Sequence, residues 1–258
     1  MLTPTETLDT INKASVKKAT SSTSRLLILG FLAGLMIAFA ALFSTIASMN
    51  LLEDPSTFGL AKLIQGFTFS GGLIMVVLTG SELFTGNSLM VIGILDDKIT
   101  WRQLLRNWSL VFVGNFLGAS LLALLCYVAG TYSMNGGLVG STLASISSAK
   151  CALTPEKGII LGLLCNILVC LAVYMAFSAK SLPGKLLSCI FPVMFFVACG
   201  FEHSIANLFY IPAGFLASGT VDILGFLSNI FFVVIGNILG GSIFVACSFY
   251  IANSQKTS

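Results

Sequence analysis

Apolar residues fill six stretches of the chain, at about 26–48, 63–93, 108–130, 158–179, 186–216 and 223–253. A straight helix needs roughly 20 residues to cross the hydrocarbon core of a bilayer. The first, third and fourth stretches match that length, and each predicts one spanning helix. The second and fifth are longer and are interrupted, as in FSGGLIMVVLTGSELFTGNS and FPVMFFVACGFEHSIANLFYIPAG. Glycines and polar residues at mid-depth predict helices that break inside the membrane and resume. A bilayer tolerates such a break only where protein buries it or a cavity receives it. The sixth stretch is also long but has no comparable polar interruption, so it predicts one tilted helix.

Composition turns this pattern into a class. Of 258 residues, 56% are hydrophobic and only 9% charged, with a mean hydropathy of +0.98. Soluble domains carry about 25% charged residues. The chain therefore reads as an all-α integral membrane protein whose surroundings are the lipid bilayer, with no nucleic-acid partner. Lysine and arginine set the orientation. With the N-terminus inside, Lys13, Lys17, Lys18, Arg25, Lys98, Arg102, Arg106, Lys180, Lys185 and Lys256 all fall on the cytoplasmic side. Lys62, Lys150 and Lys157 remain outside, so both termini are predicted to be cytoplasmic. Trp101 and Trp108 flank the inner end of the third span, as an interfacial belt would.

Residues 1–24 lack the apolar core of a cleavable signal peptide. They contain TPTE, a capping box with Thr3 as N-cap, Pro4 in the first helical position and Glu6 in the third. Leu8, Ile11 and Ala14 make a thin apolar stripe, compatible either with a solvated leader or with a helix at the cytoplasmic mouth of a pore. The seven cysteines show no CxxC pairing. Six lie in apolar segments and Cys151 lies in a connecting loop, so neither a disulfide framework nor a zinc site is expected.

The two halves repeat. LTGSELFTGNSL (78–89) matches ACGFEHSIANLF (198–209), pairing Gly80 with Gly200, Glu82 with Glu202 and Asn87 with Asn207. VFVGNFLGAS (111–120) matches VVIGNILGGS (233–242), pairing Asn115 with Asn237, and LLILG (26–30) resembles GIILG (158–162). Three crossings per half force opposite topology, with a pseudo-two-fold axis in the membrane plane. Transport proteins of this design put their path at the repeat interface, on the discontinuous helices. The expected organisation is a cytoplasmic amphipathic helix over 1–24 and a first three-helix repeat over 25–130. An extracytoplasmic connector over 131–157, a second repeat over 158–253 and a cytoplasmic tail over 254–258 follow. Gly114/Gly118 and Gly236/Gly240 permit close helix contact, either within a subunit or between subunits.

Thiols and phenols aside, three ionisable side chains lie inside the spans: Glu82, Glu202 and His203. Each is expensive in lipid and must face the interior. The glutamates can bind cations or accept hydrogen bonds from N–H groups freed at the breaks, and their equivalence favours the second role. His203, the only histidine, has Leu83 as its counterpart. An asymmetric polar residue in a symmetric scaffold marks a site, and Thr85 offers a hydroxyl from the opposing break. Catalysis is not indicated: H-E-x-x-H is absent, one histidine makes no zinc centre, and no third group orients a Cys199/His203 pair.

LTGSELFTGN, GLLCNILVCLA (162–172) and GFEHSIAN together resemble the signature segments of the formate/nitrite transporter family. The likeness runs from about residue 25 to 253 and is greatest to that family's hydrosulfide channel. It implies an aquaporin-like six-helix protomer in a homopentamer, with one pore per subunit and no cofactor or metal. It further implies a channel for small weak-acid anions, hydrosulfide first and formate and nitrite after it, in the inner membrane of a prokaryote. The alternatives are a proton-coupled formate or nitrite transporter and a water or glycerol pore. By matching positions, Leu73 and Phe196, with Phe69 nearby, would form the cytoplasmic constriction and Phe84 and Val169 the outer one. His203 and Thr85 would lie between them. Glu202, Asn166 and Lys150 correspond to the family's polar residues near the break, with Lys150 expected to concentrate anions outside. Glu82 stands where aspartate is common in relatives. The Asn-Pro-Ala pairs of aquaporins are absent, since the breaks read TGNS and IANL.

Overall fold

The structure is a computed structural model and describes residues 1–254. Helix α1 (Pro4–Ala19) starts at the predicted capping box: the Glu6 N–H donates to Thr3 Oγ1 at 3.3 Å and the Thr3 N–H to Glu6 Oε2 at 2.7 Å. The Thr3 backbone N–H, and after it the Thr3 side chain, holds the Glu6 carboxyl below the usual carboxylate range. Leu8 and Ile11 are buried and Ala14 half-buried, so the arm is not a solvated leader. Its apolar stripe packs on α4 (Val91–Leu95) and α7 (Pro155–Ser178).

Helix α2 (Thr23–Leu52) leads away from α1, and α3 (Phe58–Thr79) returns. Gly80, at φ +67°, ends α3 in the left-handed conformation that glycine adopts without steric cost. A non-helical stretch, a 3₁₀ segment (Gly86–Met90) and α4 follow. Helix α5 (Trp101–Val128) crosses again. The second half repeats the plan with α6 (Leu138–Cys151), α7, α8 (Leu182–Ala198), a break closed by Gly200 at φ +72°, and α9 (Ser204–Ser218). Helix α10 (Ile223–Ile238) runs through a π-helical segment (Leu239–Cys247) into α11 (Ser248–Asn253). Among the described residues, five continuous helical stretches are long and apolar enough to span a bilayer, and α8 with α9 makes the sixth crossing. The protein is an all-helical, multi-pass membrane protein of aquaporin-like fold.

Several sequence expectations need correction. Cys151, expected in a connecting loop, is the last residue of helix α6, which lies within residues 131–157. The broken elements begin at Phe58 and Leu182, earlier than the apolar pattern indicated, each opening on a few residues that include a glycine and a lysine, Gly59 with Lys62 and Gly184 with Lys185. The last span is continuous, as expected, but widens into a π-helix. There Gly241 faces the 3₁₀ segment so closely that a Cβ would stand 2.6 Å from the Ser88 Cβ and 2.7 Å from Cys170 Sγ. The tail expected at 254–258 lies outside the described residues beyond Ser254.

The glycine pairs act within the protomer. A Cβ on Gly114 would meet the Leu27 carbonyl oxygen of α2 at 2.7 Å, and one on Gly236 would stand closer still to the Ile159 carbonyl oxygen of α7. Helix association in lipid has no hydrophobic drive and depends on such backbone approach. Helices α2 and α5 both start beside α1 and end beside α6, which therefore mark opposite faces. The break at 80–85 opens toward the α1 face and the break at 200–203 toward the α6 face.

Candidate functional site

A broken helix leaves backbone groups that lipid cannot satisfy. The glutamates were expected to serve them, but the structure assigns that task to asparagines. Asn115 Oδ1 accepts the Phe84 N–H at 3.0 Å, and its amide donates to Gly30 O at 2.7 Å and Glu82 O at 2.9 Å. Asn237 repeats this with the Ser204 N–H at 3.0 Å, Gly162 O at 2.8 Å and Glu202 O at 3.0 Å. The N–H groups of Glu82 and Glu202 each reach the preceding spanning helix, at Leu29 O and Leu161 O, both at 3.2 Å. An amide carries both donors and an acceptor, so one asparagine can serve an N–H and a carbonyl together. A carboxylate cannot.

The glutamates instead anchor the short helices at each face. Asn87 donates to Glu82 Oε2 at 2.7 Å and to Asn107 Oδ1 at 2.8 Å, and Lys18 of α1 donates to Glu82 at 2.8 Å and Asn87 Oδ1 at 2.7 Å. On the other face Asn207 donates to Glu202 at 2.6 Å and Asn229 Oδ1 at 2.8 Å, and Lys150 of α6 grips both Glu202 oxygens at 2.8 and 2.9 Å. Helices α1 and α6 are thus equivalent, and the repeat is longer than the sequence matches showed. Lys150, expected as a free outer charge, is paired with a buried carboxylate. That pairing removes a bare negative charge from beside the break.

Subtracting the symmetric residues leaves few polar ones, and they meet. His203 Nε2 lies 3.0 Å from Thr85 Oγ1, joining the two breaks at the protein centre. His203 is also the N-cap of α9: its Nδ1 accepts the Ala206 N–H at 3.2 Å. A neutral imidazole carries one hydrogen, so that bond fixes it on Nε2. Nε2–H then donates to Thr85, and the threonine hydroxyl keeps its own hydrogen for another acceptor. Leu83, the counterpart of His203, cannot cap, and the first break resumes as a tighter 3₁₀ segment. Asn166 stands where the first half has Gly34; its amide shares two hydrogens among Asn237 O at 2.6 Å, Ser88 Oγ at 3.1 Å and Thr85 O at 3.2 Å. Thr85 itself replaces the apolar Ile205.

All five residues expected at constrictions are buried, but the chain path divides them differently from the expectation. Phe69 meets the Phe196 ring edge-on at 5.8 Å, and Phe196 stacks on His203 at 5.9 Å. Phe196 lies in the last turn of α8 beside the α6-face break, so it and Phe69 belong toward the α6 face. Phe84 lies in the α1-face break against Trp108 and Phe112, at 6.0 and 5.3 Å. Val169 is one turn before Val173, which lines a cavity of about 310 Å³ on the α1 face together with Leu73 and Leu83. Leu73, grouped by the resemblance with Phe69 and Phe196, thus lies on the α1 face with Phe84 and Val169.

Missed at the sequence level were Lys18, Asn107 and Asn229, and the work done by Asn115 and Asn237. A signal existed. Lys18 precedes LLILG by the same interval that separates Lys150 from GIILG, and Asn107 and Asn229 are amides in apolar helices.

The chain is similar to known proteins along nearly its whole length. A family model described as formate/nitrite transporter matches residues 5–251, reaching back into α1. The formate channel FocA of Escherichia coli strain K12 is 36% identical over 270 aligned residues, covering 97% of this chain and 94% of FocA. A solved pentameric formate channel with formate bound shares 35% identity at a TM-score of 0.78, covering 89% of this chain and 97% of that one. A solved FNT family ion channel matches 97% of this chain and 100% of its own at a TM-score of 0.83 and 26% identity. The chain belongs to the formate/nitrite transporter family.

Proposed function

We propose that this protein is a channel for small monovalent weak-acid anions, with formate as its principal substrate and hydrosulfide and nitrite as further permeants. The observation that carries this reading is the Thr85–His203 contact at 3.0 Å, a pair of hydrogen donors at the meeting point of the two breaks. Moving a bare anion into an apolar constriction costs several to tens of kcal/mol. Nε2–H and the threonine hydroxyl offset part of that cost, since hydrogen bonds to charged groups are the strong ones. Phe69 with Phe196, and Leu73 with Phe84 and Val169, form the apolar constrictions to either side. Desolvation there disfavours the charged form of a weak acid, so formate, nitrite or hydrosulfide can cross as the neutral acid. Chloride has no such form at ordinary pH. Lys150 and Lys18 cancel the charge of Glu202 and Glu82 at the two mouths, and Asn166 holds the Thr85 backbone.

Formate takes precedence over hydrosulfide because FocA and the solved pentameric relative carry the name of formate channel. A pentamer with one pore per subunit, set in the inner membrane with cytoplasmic termini, is proposed from the solved pentameric relative and from the lysine and arginine bias. The test is a selectivity series in proteoliposomes. Formate, nitrite and hydrosulfide should cross at least about tenfold faster than chloride, a difference of about 1.4 kcal/mol. Equal chloride flux would overturn the weak-acid reading. Uphill formate movement driven by a proton gradient would replace the channel with a coupled transporter, and rapid osmotic swelling in glycerol would indicate a neutral-solute pore.

A further inference from the structure

The cavity on the α1 face, about 310 Å³, contains more positive charge than its scaffold requires. Lys17, Lys18, Arg25 and Lys185 line it, against the single carboxylate of Glu82. Lys18 is engaged by Glu82 and Asn87. Lys17, Arg25 and Lys185 have no side-chain hydrogen bond or ion pair among the described residues.

The pseudo-two-fold shows which of these charges belong to the common plan. Arg25 has a cationic counterpart in Lys157, one turn into α7. Lys17 precedes Lys18 where Ala149 precedes Lys150, and Lys185 precedes Gly200 by the same interval as Gln65 precedes Gly80. Two cations on the α1 face therefore replace neutral residues at the α6 face. Two free charges beyond the symmetric set match a ligand with two negative groups. Ile11, Val77 and Phe177 line the same cavity, which suits a short apolar body between those groups. The volume lies at the lower bound of small-molecule pockets, roughly 300 Å³.

We propose that this vestibule is a docking site for a small organic dianion, a short dicarboxylate in the simplest case. The dianion enters from the α1 face, is held by Lys17 and Lys185, and slows the permeant monoanion. It does not follow the permeant inward, because dehydrating two charges costs at least about twice what one costs. The flux readout rests on the anion-channel reading; the binding readout does not.

The probe is succinate, compared with gluconate at matched ionic strength so that screening is constant. Titration calorimetry on the purified protein in detergent should show succinate binding, weakened about threefold by Lys17→Gln or Lys185→Gln alone and about tenfold by both. In proteoliposomes of known orientation, succinate on the α1 side should slow formate flux several-fold, whereas succinate on the α6 side leaves it unchanged. The double variant should conduct formate normally and resist the block. Binding unaffected by the substitutions, or a block equal from both sides or equalled by gluconate, would overturn the proposal and leave the lysines as topology determinants. Calorimetric binding without any formate flux would refute the channel reading while the docking site stands.

Discussion

Replacing Asn237 with leucine is expected to prevent recovery of folded protein, or to lower its unfolding temperature by about 5–20 degrees. The side chain serves the Ser204 N–H, Glu202 O and Gly162 O. Gly162 O keeps its own helical partner, but the first two lie at the break and are stranded. Each buried, unsatisfied group costs about 1–3 kcal/mol, so the loss is about 2–6 kcal/mol before packing changes. Proteins have only about 5–15 kcal/mol to lose. Asn115→Leu should behave alike, because the same three contacts recur in the first half. Thermal unfolding in detergent, followed by size exclusion, measures both variants. An unchanged unfolding temperature in either would refute the role given to the asparagines.

His203→Leu should leave the fold largely intact and reduce formate flux roughly ten- to a hundredfold. Leucine is what the pseudo-two-fold places at the equivalent position 83, so the scaffold already accommodates it once. The loss in flux follows from one missing donor to a charged group, about 1.5–3 kcal/mol, at about 1.4 kcal/mol per tenfold in rate. The loss in stability comes from the cap bond to the Ala206 N–H and the bond to Thr85 Oγ1, about 1 kcal/mol each. Formate flux per unit of reconstituted protein tests this. Flux equal to the wild type would remove His203 from the pathway.

The contrast between these variants reflects what could be read from the chain and what could not. Apolar runs, the capping box at Thr3 and the breaks at Gly80 and Gly200 depend on local chemistry, and local chemistry is written residue by residue. The asymmetry of His203 against Leu83 was visible because the repeat supplied an internal reference. Helix α6 was not visible: NGGLVGSTLASISSAKC has neither the apolar density of a span nor the charge pattern of a surface helix, and α9 stabilises it by packing. The partners of Glu82 and Glu202 depend on which helices meet at each face, so they emerged only with the fold. The π-helical segment at Leu239–Cys247 likewise meets its neighbours from far along the chain, with Gly241 set against Asn166, Ser88 and Cys170. The sides of the constrictions required knowing that each break opens toward its own face.

The central claim is that His203 offers its Nε2–H to a passing anion while Nδ1 stays bound to the α9 backbone. Because the chain has one histidine, ¹⁵N-histidine labelling yields a single pair of ring resonances, and a formate titration in detergent or nanodiscs reads both nitrogens at once. The prediction is a hydrogen on Nε2 whose resonance moves with formate, with Nδ1 remaining an unprotonated acceptor. A hydrogen on Nδ1, or a Nε2 resonance indifferent to formate, would contradict it.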